Sequence, residues 1–128
     1  QATPQERFAA GAAAAFTAFP HLQQMAATVR VQRSVDHHAL SGITALRDSS
    51  LHTTPAYEIS SIVDRIGTGD AFAAGVLHGG LVGMTHAEAL HFGVAAACLK
   101  HSLPGDFNLV AATDVHAFLG EDSLDVKR

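Results

Sequence analysis

Apolar residues follow two patterns along this chain. Up to about Ile59 they come in short runs separated by polar turns, and beyond Ser60 they become nearly continuous over two long stretches. At the front, Thr3-Pro4-Gln5-Glu6 joins the Thr-x-x-Glu spacing of a capping box to a proline at the first helical position. The alanine run that follows has high helix propensity, so a helix is predicted from about Pro4 to Ala18, with Pro20 beyond it. Residues 24–29 (QMAATV), 41–46 (SGITAL) and 52–59 (HTTPAYEI) are rich in β-formers and bounded by polar turns, which predicts three strands, the third interrupted or edged by Pro55.

After Ser60 the pattern changes. Ile62-Val63 ends an extended segment, Gly67 and Gly69 make a tight turn, and residues 71–84 (AFAAGVLHGGLVGM) are apolar on nearly every face, as a buried helix would be. The glycines of that run cost roughly 1 kcal/mol each relative to alanine, so they are expected to serve close packing. Thr85-His86-Ala87-Glu88 is a second capping box, opening a helix to about His101. A turn-rich loop at 102–108 (SLPGDFN), a short final helix at 114–119 and a polar, exposed tail at 121–128 complete the reading. Strands followed by packed helices argue an α/β layer architecture.

Composition narrows the function. Eight Lys and Arg against 12 Asp and Glu give a formal charge of −4, and the basic residues are scattered, which argues against a nucleic-acid partner. A single cysteine, Cys98, excludes an internal disulfide framework and makes a reducing, cytoplasmic setting the simpler expectation. No apolar run reaches the roughly 18 to 20 residues of a bilayer span, so no membrane partner is expected. The chain starts at Gln1 rather than methionine, and a piece of a longer protein is expected. Nine histidines raise the question of a metal. However, His37 and His38 are adjacent, Glu88 and His91 form a lone i, i+3 pair and no His-Glu-x-x-His occurs, so no transition-metal site is assigned. Cys98 reads as an inert core thiol and His101 as a hydrogen-bonding loop residue.

The richest chemistry lies at Asp64-Arg65-Ile66-Gly67-Thr68-Gly69-Asp70. Two glycines just before a helix let several backbone N–H groups point outward together, and the helix dipole adds partial positive charge at the same place. Such a spot binds anions, and the Asp70 carboxylate beside it could take a proton from a substrate hydroxyl. The same residues also fit a plain tight turn with Asp70 as N-cap.

Over the longer span, Asp64, Gly67, Gly69, Asp70 and Gly75 match in order and spacing a D-x-x-G-x-G-D signature, and the segment resembles that of the ribokinase-like (PfkB-type) carbohydrate kinases. The resemblance implies a ribokinase-like three-layer α/β sandwich, of which residues 1–128 would be the C-terminal, nucleotide-binding and catalytic portion, without the substrate-gripping half and its lid. It implies that Asp70 is the catalytic base, that Gly67, Thr68 and Gly69 supply anion-hole amides, and that Asp64 either organises cations or water near the ATP phosphates or simply closes the turn. Arg65 and Ile66 stand where relatives carry small residues, which leaves a monovalent cation site open. Phe92-Gly93-Val94-Ala95-Ala96-Ala97 resembles the small-residue helix beside adenine in this family, placing Val94 and Ala97 against the base. Thr28 and Arg30, after a strand where relatives often carry a glycine-rich nucleotide loop, are nucleotide-contact candidates. Phe19-Pro20-His21-Leu22, residues 27–30 and residues 101–108 resemble a bacterial subgroup of 2-keto-3-deoxygluconate kinases.

The implied activity is transfer of the ATP γ-phosphoryl group, with Mg2+, to a hydroxyl of a sugar acid. The alternatives are a non-catalytic nucleotide-binding module, or a kinase of the same family for fructose, ribose or a nucleoside. The 128-residue chain alone is expected to have little activity and to expose apolar surface that favours homo-oligomer formation.

Overall fold

The computed structural model describes residues 1–105 and 108–126, with side chains through Gly120. Helix α1 (Pro4–Ala18) starts as its capping box dictates. Thr3 Oγ1 accepts the Glu6 amide at 3.1 Å, and Glu6 Oε2 accepts the Thr3 amide at 2.7 Å. Strands β1 (Gln24–Gln32) and β2 (His38–Leu46) then form an unbroken antiparallel ladder, from Gln24 opposite Leu46 to Gln32 opposite His38. Both strands are longer than expected. Arg30, Val31 and Gln32 and their partners from His38 to Leu40 look unlike strands locally, but each completes the other's hydrogen bonds.

The third predicted strand is two short ones, β3 (Leu51–Thr53) and β4 (Tyr57–Ile59), both paired antiparallel to β2. Pro55 lies between them and has no amide for a ladder. Thr54 keeps the sheet closed at the gap. Its amide reaches the Gly42 carbonyl at 3.0 Å, and its hydroxyl accepts the Gly42 amide at 2.9 Å. Strand β2 is therefore central and β1 lies at one side of the sheet.

Alternation along β2 sends its two faces to different layers. Leu40 and Gly42 face a helix, α3 (His86–Lys100), packing on Leu90 and Val94. Ala45 faces the opposite way, toward Ala12 and Phe16 of α1. The helical layer on the α3 side also holds α2 (Thr68–Leu81) and α4 (Ala112–Val126). Helix α3 is buried on three sides: by the sheet, by α2 through Gly75 and Gly79, and by α4 through Val115. This is an α/β sandwich of three layers, with α1 on one face of the sheet and α2 to α4 on the other.

Both ends of α2 and of α4 differ from the sequence reading. Helix α2 spans Thr68–Leu81 rather than 71–84, because Gly67 adopts φ +79° as its N-cap and Gly83 at φ +86° turns the chain away behind it. It is not buried all round either, since Leu77 and Leu81 are exposed, Leu81 by 87%. Helix α4 runs to Val126 rather than stopping at 119, and Asp114 secures its first turn by accepting the Ala111 amide at 2.8 Å. The expected exposure of 121–128, and Asp106 and Phe107 of the predicted loop, lie outside the described side chains.

Candidate functional site

The glycine-rich turn enters α2 in a way that its sequence explains. Gly67 takes a left-handed conformation, φ +79° and ψ 0°, that an L side chain adopts only with strain. The Thr68 hydroxyl and amide both fold back on the Arg65 carbonyl, at 2.9 and 3.3 Å, and bury that side chain. Helical bonding resumes with the Ala71 amide on the Gly67 carbonyl at 2.9 Å. The Thr68 amide expected at an anion hole is thus spent on Arg65, whereas among the described residues no acceptor reaches the amides of Gly69, also expected there, and of Asp70, which was not, so the helix presents free donors where its dipole is positive. Gly69 faces open space, where a Cβ would meet no atom within 4 Å, and Asp70 is exposed beside it. Alanine at Gly67 is expected to destabilise the protein by about 1 kcal/mol through the strain of its left-handed backbone. A lowered urea midpoint at unchanged slope would show this, and an unchanged midpoint would remove the strain argument.

Asp64 is a structural tie in this arrangement. Oδ1 accepts the Ile66 amide at 3.0 Å and Oδ2 accepts the Gly105 amide at 2.8 Å, so the carboxylate joins the glycine turn to the loop after α3. Those two amides hold its pKa below the usual carboxylate value, partly opposed by burial, with the Lys100 charge adding to the depression. Lys100 itself is fully buried and donates to the Leu103 and Gly105 carbonyls at 3.2 and 2.5 Å. The loop is thus anchored twice.

A second group lies between β1, β2 and the end of α3. Arg30 reaches His38 Nδ1 with one terminal nitrogen at 2.7 Å and His101 Nε2 with the other at 2.9 Å. His101 Nδ1 lies 2.6 Å from the Ala97 carbonyl, which fixes that nitrogen as the donor and leaves Nε2 to accept from Arg30. Burial, then the nearby Arg30 and other cations, hold the pKa of His101 below its ordinary value, against the pull of the Ala97 carbonyl. Burial followed by Arg30 and Arg65 does the same to His38. The sequence marked Arg30 and His101 separately but missed their union. The available signals were Arg30 on the strand parity of Ala26, which packs on the core, and His101 one turn beyond the buried Ala97 of α3.

Thr28, an expected nucleotide contact, and Gly69, expected at the anion hole, line one cleft of about 580 Å³ together with Ala26, Phe72 and Val76. Val94 and Ala97 are not at a cleft. They are 0% and 1% exposed and belong to the core, Val94 directly beneath Gly42. The small residues of α3 make room for β2 and α2 rather than for a flat ring. A separate cavity of about 670 Å³, lined by Tyr57, Ile59, Cys98, Leu99, His101 and Phe118, opens at the last turn of that helix, and sequence reasoning did not identify it. Among the described residues, no three His, Cys, Asp or Glu side chains gather as a metal site, and no helix is long and apolar enough to cross a membrane.

Comparison with known proteins places this geometry in context. The profile of the pfkB family of carbohydrate kinases matches residues 8–110. A 2-dehydro-3-deoxygalactonokinase of Haloferax volcanii is 34% identical over 100 residues, which make up 77% of this chain and 30% of that protein. The crystal structure of 2-dehydro-3-deoxygluconokinase from Thermotoga maritima has a TM-score of 0.82 at 28% identity, over 92% of this chain and 35% of that one. That of a PfkB family carbohydrate kinase from Listeria grayi has a TM-score of 0.78 at 36% identity, over 84% and 33%. The chain therefore spans about a third of the length of these relatives.

Proposed function

Because the chain belongs to the pfkB family of carbohydrate kinases, we propose that it carries the phosphoryl-transfer end of an ATP-dependent sugar-acid kinase acting on 2-keto-3-deoxygluconate. The observation that carries this reading is the exposed Asp70 carboxylate on the same helical turn as two unpartnered amides. Phosphoryl transfer asks a protein mainly for position and charge stabilisation, and those two elements supply both. The free N–H groups of Gly69 and Asp70 donate to the γ-phosphoryl oxygens, as helix N-termini do for phosphates generally. Asp70 accepts the proton of the acceptor hydroxyl while that oxygen bonds to the γ-phosphorus and the bond to ADP breaks. Magnesium carried with ATP offsets charge on the triphosphate. Thr28 lines the same cleft as Gly69, so it remains a nucleotide-contact residue in this reading.

The choice of acceptor rests on the names of the relatives, one a 2-dehydro-3-deoxygluconokinase, named for the sugar acid proposed here, and one a 2-dehydro-3-deoxygalactonokinase, named for its epimer. The test is ADP release by the protein at its full natural length, with ATP and 2-keto-3-deoxygluconate, its galacto epimer, fructose, ribose or a nucleoside. The expected kcat/KM for the 2-keto-3-deoxy acids exceeds that for the neutral sugars by about 10²-fold, the size of one lost charged contact. ATP binding with no transfer to any acceptor would leave a non-catalytic module instead. Preference for a neutral sugar would keep the chemistry and overturn the substrate.

A further inference from the structure

The hydrogen bonds around Arg30 connect two places that the sequence keeps 71 residues apart, and they lead to the glycine turn. From β1, Arg30 grips His38 at the start of β2 and His101 at the end of α3. The His101 carbonyl in turn accepts the amides of Val63 and Asp64, at 3.0 and 3.2 Å. Asp64 then holds the Ile66 amide one residue before Gly67. We infer that Arg30 is a positioning residue, clamped between two neutral imidazoles, which sets the anion-binding turn through His101 and Asp64 rather than by touching the nucleotide. The inference deepens the kinase reading and rests on it.

Geometry makes the clamp depend on both residue type and protonation. The guanidinium presents separate N–H groups in a fixed fork, one for each imidazole, whereas a lysine ammonium is a compact point charge that cannot span both in the same way. Each histidine serves as an acceptor, His101 because its other nitrogen is committed to Ala97, so each must be neutral. A proton on His101 Nε2 would set donor against donor. His38 Nε2 is buried without a hydrogen-bond partner among the described residues, and the Val35 and Ser34 backbone, which favours a charged His38, is outweighed by burial and by Arg30 and Arg65. The other ionisable groups facing the clamp are Arg65 from the turn and the Cys98 thiol from α3. Arg65 opposes further positive charge, in line with the depressed pKa values. The sign follows from those depressions. The neutral, clamped form is complete above the ordinary imidazole value of 6.5 and is lost as pH falls through the lower value that the folded protein gives these imidazoles.

This differs from simple attraction, because extra positive charge near a phosphate site should strengthen nucleotide binding. The experiment measures MgATP affinity by calorimetry from pH 5 to 8 in the protein at its full natural length, for wild type, Arg30→Lys and His101→Gln. Glutamine can still accept from Arg30 but does not titrate, and the protonation of ATP is common to all three proteins and cancels. The expected results are an Arg30→Lys affinity about tenfold weaker at pH 7.5, and an acid loss of affinity in wild type that His101→Gln lacks. Imidazole ¹⁵N shifts at pH 7.5 should report Nδ1–H on His101. Wild-type affinity in Arg30→Lys, or binding that strengthens on acidification, would overturn the positioning role while leaving the kinase reading intact. No MgATP binding by wild type at any pH would overturn the kinase reading and this inference with it. If His101→Gln does not fold, the Arg30→Lys affinity at pH 7.5 still decides.

Discussion

Replacing Asp70 with asparagine is expected to lower turnover by about 10²-fold or more while leaving ATP affinity within roughly twofold. The substitution preserves shape, and Asp70 is exposed, so the side chain takes no part in core packing that the amide would disturb. What disappears is the capacity to accept a proton as the acceptor oxygen attacks phosphorus. The amides of Gly69 and Asp70 belong to the backbone and remain in place, so phosphate binding should persist. Loss of a carboxylate from the first helical turn weakens its interaction with the dipole by about 0.3–1 kcal/mol, too little to unfold a domain of ordinary stability. Steady-state kinetics beside calorimetry separate these quantities. Wild-type turnover in Asp70→Asn would remove the base from the mechanism. Equal loss of turnover and ATP affinity would make Asp70 a binding residue instead.

The features legible in the sequence were those whose cause is local. Thr3 with Glu6 and Thr85 with Glu88 are capping boxes within four residues, and both helices start where those pairs say. Pro55 interrupts a strand because it lacks an amide, and the break falls there. The turn at Gly67 to Asp70 is also written in consecutive residues, since only glycine enters the left-handed region at little cost. The features that were not legible depend on partners far along the chain. Arg30 to Gln32 become strand because His38 to Leu40 complete their ladder. Val94 suggested space beside a ring, but a small-residue helix leaves the same space for a neighbouring backbone, and Gly42 occupies it. The clamp on Arg30 needs β1, β2 and α3 assembled before any of its bonds exists. Helix α2, apolar on nearly every face by sequence, buries one side against α3 and leaves Leu77 and Leu81 exposed, which periodicity could not distinguish.

The close approach of α2 to α3 predicts the largest stability effect in the molecule. A Cβ added at Gly93 would lie 2.6 Å from Val76 Cγ2 and 2.9 Å from the Phe72 carbonyl oxygen, and one at Gly75 would lie 2.7 Å from Gly93 Cα. Backbone is part of each contact, so a side-chain rotation cannot relieve them. Two effects oppose each other when alanine replaces a helical glycine. Helix propensity and a less flexible unfolded chain favour alanine by up to about 1 kcal/mol each, while overpacking costs about 1–3 kcal/mol. At Gly80, where nothing lies within 4 Å, only the favourable part acts, and Gly80→Ala should stabilise by about 0.5–1 kcal/mol. At Gly93 a valine adds branched bulk to the clash and brings little helix propensity, so Gly93→Val should destabilise by about 3 kcal/mol. Urea titration of both variants provides the contrast, and a Gly93→Val midpoint equal to wild type would show that the helices yield freely. The consequence reaches the site, because Gly75 and Gly79 seat α2 on α3 and the free amides of Gly69 and Asp70 are the first turn of that same helix. A Gly93 variant that folds should therefore bind MgATP more weakly as well, with its helices held apart at the point that fixes the direction of the anion-binding turn.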